Sequence, residues 1–438
     1  MNREILKLAI PNILSNISVP LLSSVDTALM GQLSALHIGA VGIGSMIFNF
    51  VYWNFGFLRM GTTGLTAQAF GKTAQEETIL TLGRALLVAF VLASIILLSQ
   101  YPFGILSFSL MNLSSEQLPL VKEYFYIRIW AAPATLALYA FLGWFFGMQN
   151  AIYPLILTLL INIINIIASV VFIKYMGLGV AGVAYGTVIA QYIGLFAAIF
   201  LFFYKYAPLR KYLQAKAILK WTALRQFLHI NSDIFIRTFC LTFAFGFFYS
   251  QSARGGELLL AVNVILLQFL NWMSYGIDGF AFASESLIGK YAGAKNQAQL
   301  DKAIRLSFVW SLGLAGIYSL IYGLLGMPIS TLFSSQATVL AAIQPYLFWM
   351  ILFPIFSMPC YIWDGIFIGL TAAKAMRDTM IIALILYLTV HYLLIDNLGN
   401  HGLWLALLIF MVARGLIQWR VFQRRELSKV ILTNNNLF

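Results

Sequence analysis

Four carboxylates lie in stretches of chain from which water is expected to be excluded: Asp26, Asp278, Glu285 and Asp364. Asp26 stands within the apolar run 13–33, which is long enough to cross a bilayer. An ionised carboxylate at the centre of such a run costs roughly 2.5–3.5 kcal/mol on insertion scales, so it is kept where it carries an ion or meets a partner. The seven-residue spacing of Asp278 and Glu285 is two helical turns, which sets both on one helix face about 10 Å apart along the axis. Such a face must line an interior cavity in which a proton or a cationic substrate neutralises it. The plainer alternative is that each acid is a satisfied structural contact. Arg59, Arg128 and Arg237, inside or at the edge of apolar runs, are then the expected partners, and Asp233 and Arg237 are expected to form an i,i+4 salt bridge.

Pro11 and Pro20 bracket the first part of the segment that carries Asp26. Each deletes a backbone hydrogen bond and permits a bend, so proton occupancy at Asp26 could be coupled to helix shape. Ordinary membrane-helix prolines are the alternative. The clusters Tyr52-Trp53 and Trp144-Phe145-Phe146 could stack against organic cations, although most aromatic side chains here are expected to face lipid or the interfaces. His37, His229, His391 and His401 fall near span ends and are not expected to titrate functionally. Cys240 and Cys360 lie in separate apolar runs, which offers neither a disulfide framework nor a metal site. With no Walker loop, Gly-rich dinucleotide turn, HExxH or nucleophile–base constellation, the chain is not expected to be an enzyme, to hydrolyse ATP or to hold a cofactor beyond a coupling ion.

The elements that must position these residues follow from composition. At 61% hydrophobic, 10% charged and mean hydropathy +0.87, the chain is an all-α polytopic membrane protein. Apolar windows and breakers place twelve spans near 8–32, 39–69, 79–101, 121–147, 153–174, 179–204, 227–250, 258–289, 303–326, 340–369, 377–395 and 400–421. A cytoplasmic N-terminus puts Lys72, Arg84, the basic residues of 205–226, Lys290, Lys295, Lys302, Arg305, Lys374, Arg377 and the basic tail on one side. The outer connections then hold Lys122, Lys174 and Arg254, which sets the orientation, with both termini cytoplasmic in a cell (inner) membrane. The net charge of +12 is therefore a topology signal, and nucleic-acid binding is not expected. Arg3 and Lys7 precede span one with no A-x-A-like cleavage site, so Met1 is expected in the mature protein.

The polar interval 205–226 divides the chain into an N-lobe (1–204) and a C-lobe (227–438) and reads as an amphipathic basic linker. Across it the sequence repeats with an offset of 222: Asn49 with Asn271, Leu65 with Leu287, Gly71 with Gly293, Gln75 with Gln297, Tyr139 with Tyr361, Gly143 with Gly365, Phe145 with Phe367 and Gly147 with Gly369. Six spans per half make the repeats parallel, related by a pseudo-twofold along the membrane normal. Parallel halves of this kind place a substrate path between them and work by alternating access.

These residues resemble a known family. Val25-Asp26-Thr27-Ala28 with Gly31, Leu58-Arg59-Met60 with 62–71, Asp278-Gly279-Phe280-Ala281, Asp364-Gly365 with Phe367-Ile368-Gly369, and 400–406 are similar to the multidrug and toxic compound extrusion (MATE) transporters over essentially the whole chain. The resemblance implies a two-lobed, twelve-helix antiporter, expected to be monomeric and in contact with lipid. It would export organic cations or other amphipathic small molecules against a proton or sodium gradient. It further implies an N-lobe ion site at Asp26, Asn165, Ser169 and Thr187, with Asp278, Glu285 and Asp364 as C-lobe candidates for substrate or ion. Ser169 departs from the family pattern, which usually has Asp there. One carboxylate in place of two weakens a sodium site formed by Asp26, Asn165 and Thr187, and this favours protons as the coupling ion. A lipid-linked precursor flippase shares the architecture, but the acidic residues of spans one, eight and ten favour the drug exporter.

Overall fold

The computed structural model describes residues 1–31, 34–111 and 113–424, and of residues 19–31 and 35 the backbone alone. All regular structure among the described residues is helical, because a backbone in hydrocarbon must satisfy its own hydrogen bonds. In the first half these are α1 (Asn2–Gly31), α2 (Ala35–Phe55), α3 (Phe57–Gly71), α4 (Gln75–Leu98), α5 (Gln100–Leu110), α6 (Gln117–Arg128), α7 (Ala132–Gly147), α8 (Ile152–Val170) and α9 (Gly179–Tyr206). A short α10 (Ala215–Ile218) lies in the linker, and α11 (Trp221–Arg254), α12 (Glu257–Gly293), α13 (Gln297–Thr331), α14 (Ala337–Ile343), α15 (Leu347–Gly369), α16 (Ala373–Leu398) and α17 (Asn400–Arg424) follow.

Eleven stretches among the described residues are long and apolar enough to cross a membrane. The remaining one of the twelve expected spans is α1. Three expected spans are each built from two helices: α2 and α3 meet at Gly56, α6 passes through a 3-10 turn, Ile129–Ala131, into α7, and α14 passes through another, Gln344–Tyr346, into α15. Helix α5 is absent from the expected elements. Tyr101, Ile105, Leu106 and Leu110 on it are exposed while Gly104, Ser107 and Phe108 are buried, the pattern of a short helix with an apolar outer face.

Two compact units emerge, Leu14–Leu228 and a second made of Met1–Ile13 with His229–Phe438. This departs from the expected lobe boundaries, because the division falls inside α1. The reason is local. Glu4 takes hydrogen bonds from Lys290 Nζ (3.1 Å) and Tyr291 Oη (2.9 Å) at the end of α12, and Trp310 Nε1 donates to Asn2 Oδ1 (3.3 Å). The linker belongs with the first unit, where Arg84 Nη2 donates to the Ala217 carbonyl (3.2 Å) and an added Cβ at Gly83 would strike Ile218.

Each unit repeats the other's internal contacts at the offset of 222. A Cβ at Gly143 would collide with the Arg59 carbonyl, and one at Gly365 with the Ala281 carbonyl. Likewise Gly147 would meet the Thr63 carbonyl at 2.9 Å and Gly369 that of Glu285 at 2.8 Å. The turns repeat too: the left-handed residues Thr73 and Gln149 have counterparts in Lys295 and Thr371. After each, an amide reaches back five residues to close the helix end, Ala74 to Ala69, Asn150 to Phe145, Asn296 to Tyr291 and Ala372 to Phe367.

Candidate functional site

Helices α1 and α8 are joined by a polar ladder. Ser15 Oγ donates to Thr158 Oγ1 (2.9 Å), and Asn162 Nδ2 donates to Ser18 Oγ (3.0 Å) and to its carbonyl (3.3 Å). Both rungs advance in the same direction, so the helices run parallel with a register offset of 143 to 144. Thr158, Asn162, Asn165 and Ser169 fall on one face of α8, and the last two extend the ladder toward α9. Asn165 Nδ2 donates to Thr187 Oγ1 (3.0 Å), which itself donates to the Val183 carbonyl (2.9 Å). Asn165 and Ser169 are buried, and neither Asn165 Oδ1 nor Ser169 Oγ has a hydrogen-bond partner among the described residues. Gly186, beside Thr187, leaves the room: a Cβ there would come within 2.6 Å of Ser169 Oγ.

Three of the four residues expected in the N-lobe site, Asn165, Ser169 and Thr187, are thus brought together. Asp26 and Pro20 lie outside the residues whose side chains are described, although the backbone of α1 is helical through both and through Pro11. The described members are neutral oxygen donors. Such a set can coordinate a small hard cation or accept a hydrogen bond from a protonated acid.

In the second unit Asp364 is held by three side chains. Its Oδ2 accepts from Arg237 Nη2 and from Arg414 Nη2 (2.6 Å), and its Oδ1 accepts from Gln418 Nε2 (2.7 Å). All four residues are buried, an arrangement that fixes α11, α15 and α17 to one another. The expected Asp233–Arg237 bridge is therefore corrected. Arg237 turns to Asp364, while Asp233 binds Arg377 Nη1 at 2.6 Å, with His229 3.8 Å away. Both carboxylates are buried, so burial does not decide the choice: Asp233 is already neutralised by Arg377, which leaves the Arg237 guanidinium to the acid of α15. Arg414 and Gln418 were missed as partners, although an arginine inside the expected span 400–421, four residues before a glutamine, was the signal. Glu285 is buried and Asp278 partly buried on α12.

Two further expectations are corrected. Trp144 and Phe145 are fully buried, with Trp144 Nε1 donating to the Thr78 carbonyl (2.8 Å), so this cluster is core and not a lipid-facing belt. Helix α16 continues to Leu398, which leaves His391 buried within it, edge-on to Phe247 (4.9 Å). Arg59 lies over the Phe146 ring (5.9 Å). No cluster of three metal-ligating side chains occurs among the described residues.

The MatE family matches this chain twice, over residues 11–171 and 234–394, once in each half. The DNA damage-inducible protein F of Escherichia coli is 36% identical over 425 residues, covering 95% of this chain and 91% of that protein. The probable multidrug resistance protein NorM of Thermotoga maritima is 24% identical over 78% of this chain and 74% of its own length. Among solved structures, a MATE protein in its bent conformation superposes with a TM-score of 0.88 at 19% identity, covering 99% of this chain and 97% of that one. An outward-facing multidrug resistance MATE family transporter gives 0.83 at 19% identity, covering 98% and 96%.

Proposed function

The chain belongs to the MatE family of multi-pass membrane transporters, and from that premise we propose that it is a secondary active exporter of amphipathic small molecules, organic cations among them. Export is driven by proton entry through Asp26. The observation that carries this reading is the pair of buried, unpartnered oxygens, Asn165 Oδ1 and Ser169 Oγ, beside Thr187. The register that joins Ser15 to Thr158, if carried unchanged along two parallel helices, would bring position 26 of α1 level with Ser169 of α8, which supports this reading. A lone carboxylate among neutral oxygens has no second acid to share a metal ion with, and its charge is most economically removed by a proton.

Protonation would neutralise an acid in an apolar helix and release the polar ladder from holding a charge. One elementary charge crossing 100 mV yields about 2.3 kcal/mol, enough for roughly a 50-fold gradient of an uncharged substrate per proton, whereas a monovalent cation exchanged one for one draws on the pH difference alone. With the termini taken as cytoplasmic, the side that the basic residues of the linker and tail favour, inward proton flow opposes outward substrate flow.

The test is export of a fluorescent organic cation from proteoliposomes on an imposed pH gradient and, separately, a sodium gradient. Proton-driven export that disappears in Asp26→Asn, with the variant still folded, supports the reading. Export driven by sodium alone, or undiminished in Asp26→Asn, sinks it.

A further inference from the structure

Arg128 is a cation inside the membrane for which the described chain provides no counter-ion. It ends α6, eleven residues or about 16 Å of helix beyond Gln117, and its side chain is more than nine-tenths buried. None of the ion pairs among the described residues involves it. Its guanidinium lies 5.4 Å from the ring centres of both Phe48 and Tyr52, yet Nη1 has no hydrogen-bond partner among the described residues. Two hydroxyls beside it are in the same condition. Tyr52 Oη faces Arg128 and Thr135, and neither that hydroxyl nor Thr135 Oγ1 closes a hydrogen bond of normal geometry, although both residues are buried.

The cluster sits where the two interrupted spans of this unit break, just before Gly56 on one side and at the 3-10 turn Ile129–Ala131 on the other. Interrupted helices within a bilayer are tolerated where they line a site. The groups converging there can all donate, and guanidinium has no acceptor capacity, so the set suits an acceptor carrying negative charge, which the described residues do not supply.

The internal repeat supplies the control. At the offset of 222, Arg128, Tyr52, Thr135 and Tyr139 correspond to Met350, Ser274, Ser357 and Tyr361. In that unit the positions satisfy themselves: Ser274 and Tyr361 share a hydrogen bond (2.6 Å), Ser357 donates to the Phe353 carbonyl (2.5 Å), and a buried methionine fills the place of the arginine. The fold is therefore built without a cation at this point. We propose that Arg128, Tyr52 and Thr135 form an anion-binding site for a small amphipathic carboxylate, whose charged group meets the three donors while its ring packs against the cluster of Phe48, Tyr124 and Phe125.

The test reads binding and not transport, so its failure leaves the export reading standing. The full-length protein in lipid nanodiscs is titrated calorimetrically with 2-naphthoate, 2-naphthylmethanol and 2-naphthylmethylammonium. Expected is naphthoate binding at least tenfold tighter than the alcohol or the amine. Arg128→Met, which copies the other repeat, should abolish that preference without loss of melting temperature, and Arg128→Lys should retain part of it. Tyr52→Phe with Thr135→Val should weaken naphthoate binding several-fold, which keeps the idea decidable if Arg128→Met does not fold. Wild-type protein that binds the three probes equally or prefers the amine, or Arg128→Met that keeps the carboxylate preference, overturns the proposal.

Discussion

Arg414 of α17 donates to Asp364 of α15 at 2.6 Å, and the same carboxylate oxygen also receives Arg237 of α11. One buried acid thereby neutralises part of two buried cations. Removing a single member of such a set leaves charge stranded in low dielectric, at a cost of roughly 3–5 kcal/mol. Asp364→Asn is expected to lower the melting temperature of the detergent-solubilised protein sharply, whereas replacing Asp364, Arg237 and Arg414 together by apolar residues costs much less. An unchanged melting temperature in Asp364→Asn would remove the cluster from the stabilising framework.

At Ser169 the prediction concerns ion choice. Ser169→Asp adds a second carboxylate one helical turn from Asn165 and so supplies charge and a hard oxygen to the set. Sodium should then raise the melting temperature of the variant in a concentration-dependent way while leaving the wild type nearly unmoved. Equal sodium responses in the two proteins would disconnect Ser169 from ion binding.

The close glycines make a paired test. Gly143→Ala and Gly365→Ala drive a methyl group against a backbone carbonyl, which cannot retreat as a side chain can, and each is expected to destabilise by about 1–3 kcal/mol. Gly42 and Gly313 have nothing within 4 Å of an added Cβ, so alanine there is neutral or stabilising through helix propensity. Thermal unfolding of the four variants under one condition separates the two classes.

Left-handed turns at non-glycine residues carry a conformational cost of about 1 kcal/mol that glycine avoids. Thr73→Gly, Gln149→Gly, Lys295→Gly and Thr371→Gly are each expected to be neutral or mildly stabilising, and Ile, with its branched β-carbon, to be worse than wild type at the unbranched positions Gln149 and Lys295. Melting curves in which Ile outperforms Gly at these turns would contradict the backbone assignment.

Glu4 gives the pH dependence. Partial burial raises its carboxyl pKa, but hydrogen bonds from Lys290 and Tyr291 and the Lys290 charge outweigh this and hold it below the ordinary 4.5. A depressed carboxylate contributes stability above its unfolded value and loses it as pH falls through the folded one. Wild type should therefore melt above Glu4→Gln near neutrality, and the difference should close below about pH 4.5. A gap that widens on acidification would have the sign wrong.

Much of the architecture was legible because bilayer thickness and backbone satisfaction leave few options for long apolar runs, and because eight matched positions at one offset exposed the repeat. Asn165, Ser169 and Thr187 came from resemblance, and their meeting depends on the packing of α8 against α9, which spacing alone does not encode. Partner choice was the least readable. Asp233 looked committed to Arg237, since they share a helix face, but the competing ligand, Asp364, stands 127 positions away in the chain. Arg128 was visible as an intramembrane cation, yet its want of an acceptor depends on helix breaks at Gly56 and Ile129–Ala131 that the apolar pattern runs straight through.

The four left-handed turns have a historical consequence. Thr73 and Lys295 occupy equivalent corners, as do Gln149 and Thr371, so the awkward backbone state is shared while the residue adopting it is not. Had each half arrived at its turns separately, glycine would be the expected choice at every one. Their agreement in conformation and disagreement in side chain fit one ancestral half-length chain that was copied and joined to itself. On that view the backbone path is the inheritance, and Arg128 of one copy and the ion-paired Asp364 of the other are what each acquired afterwards.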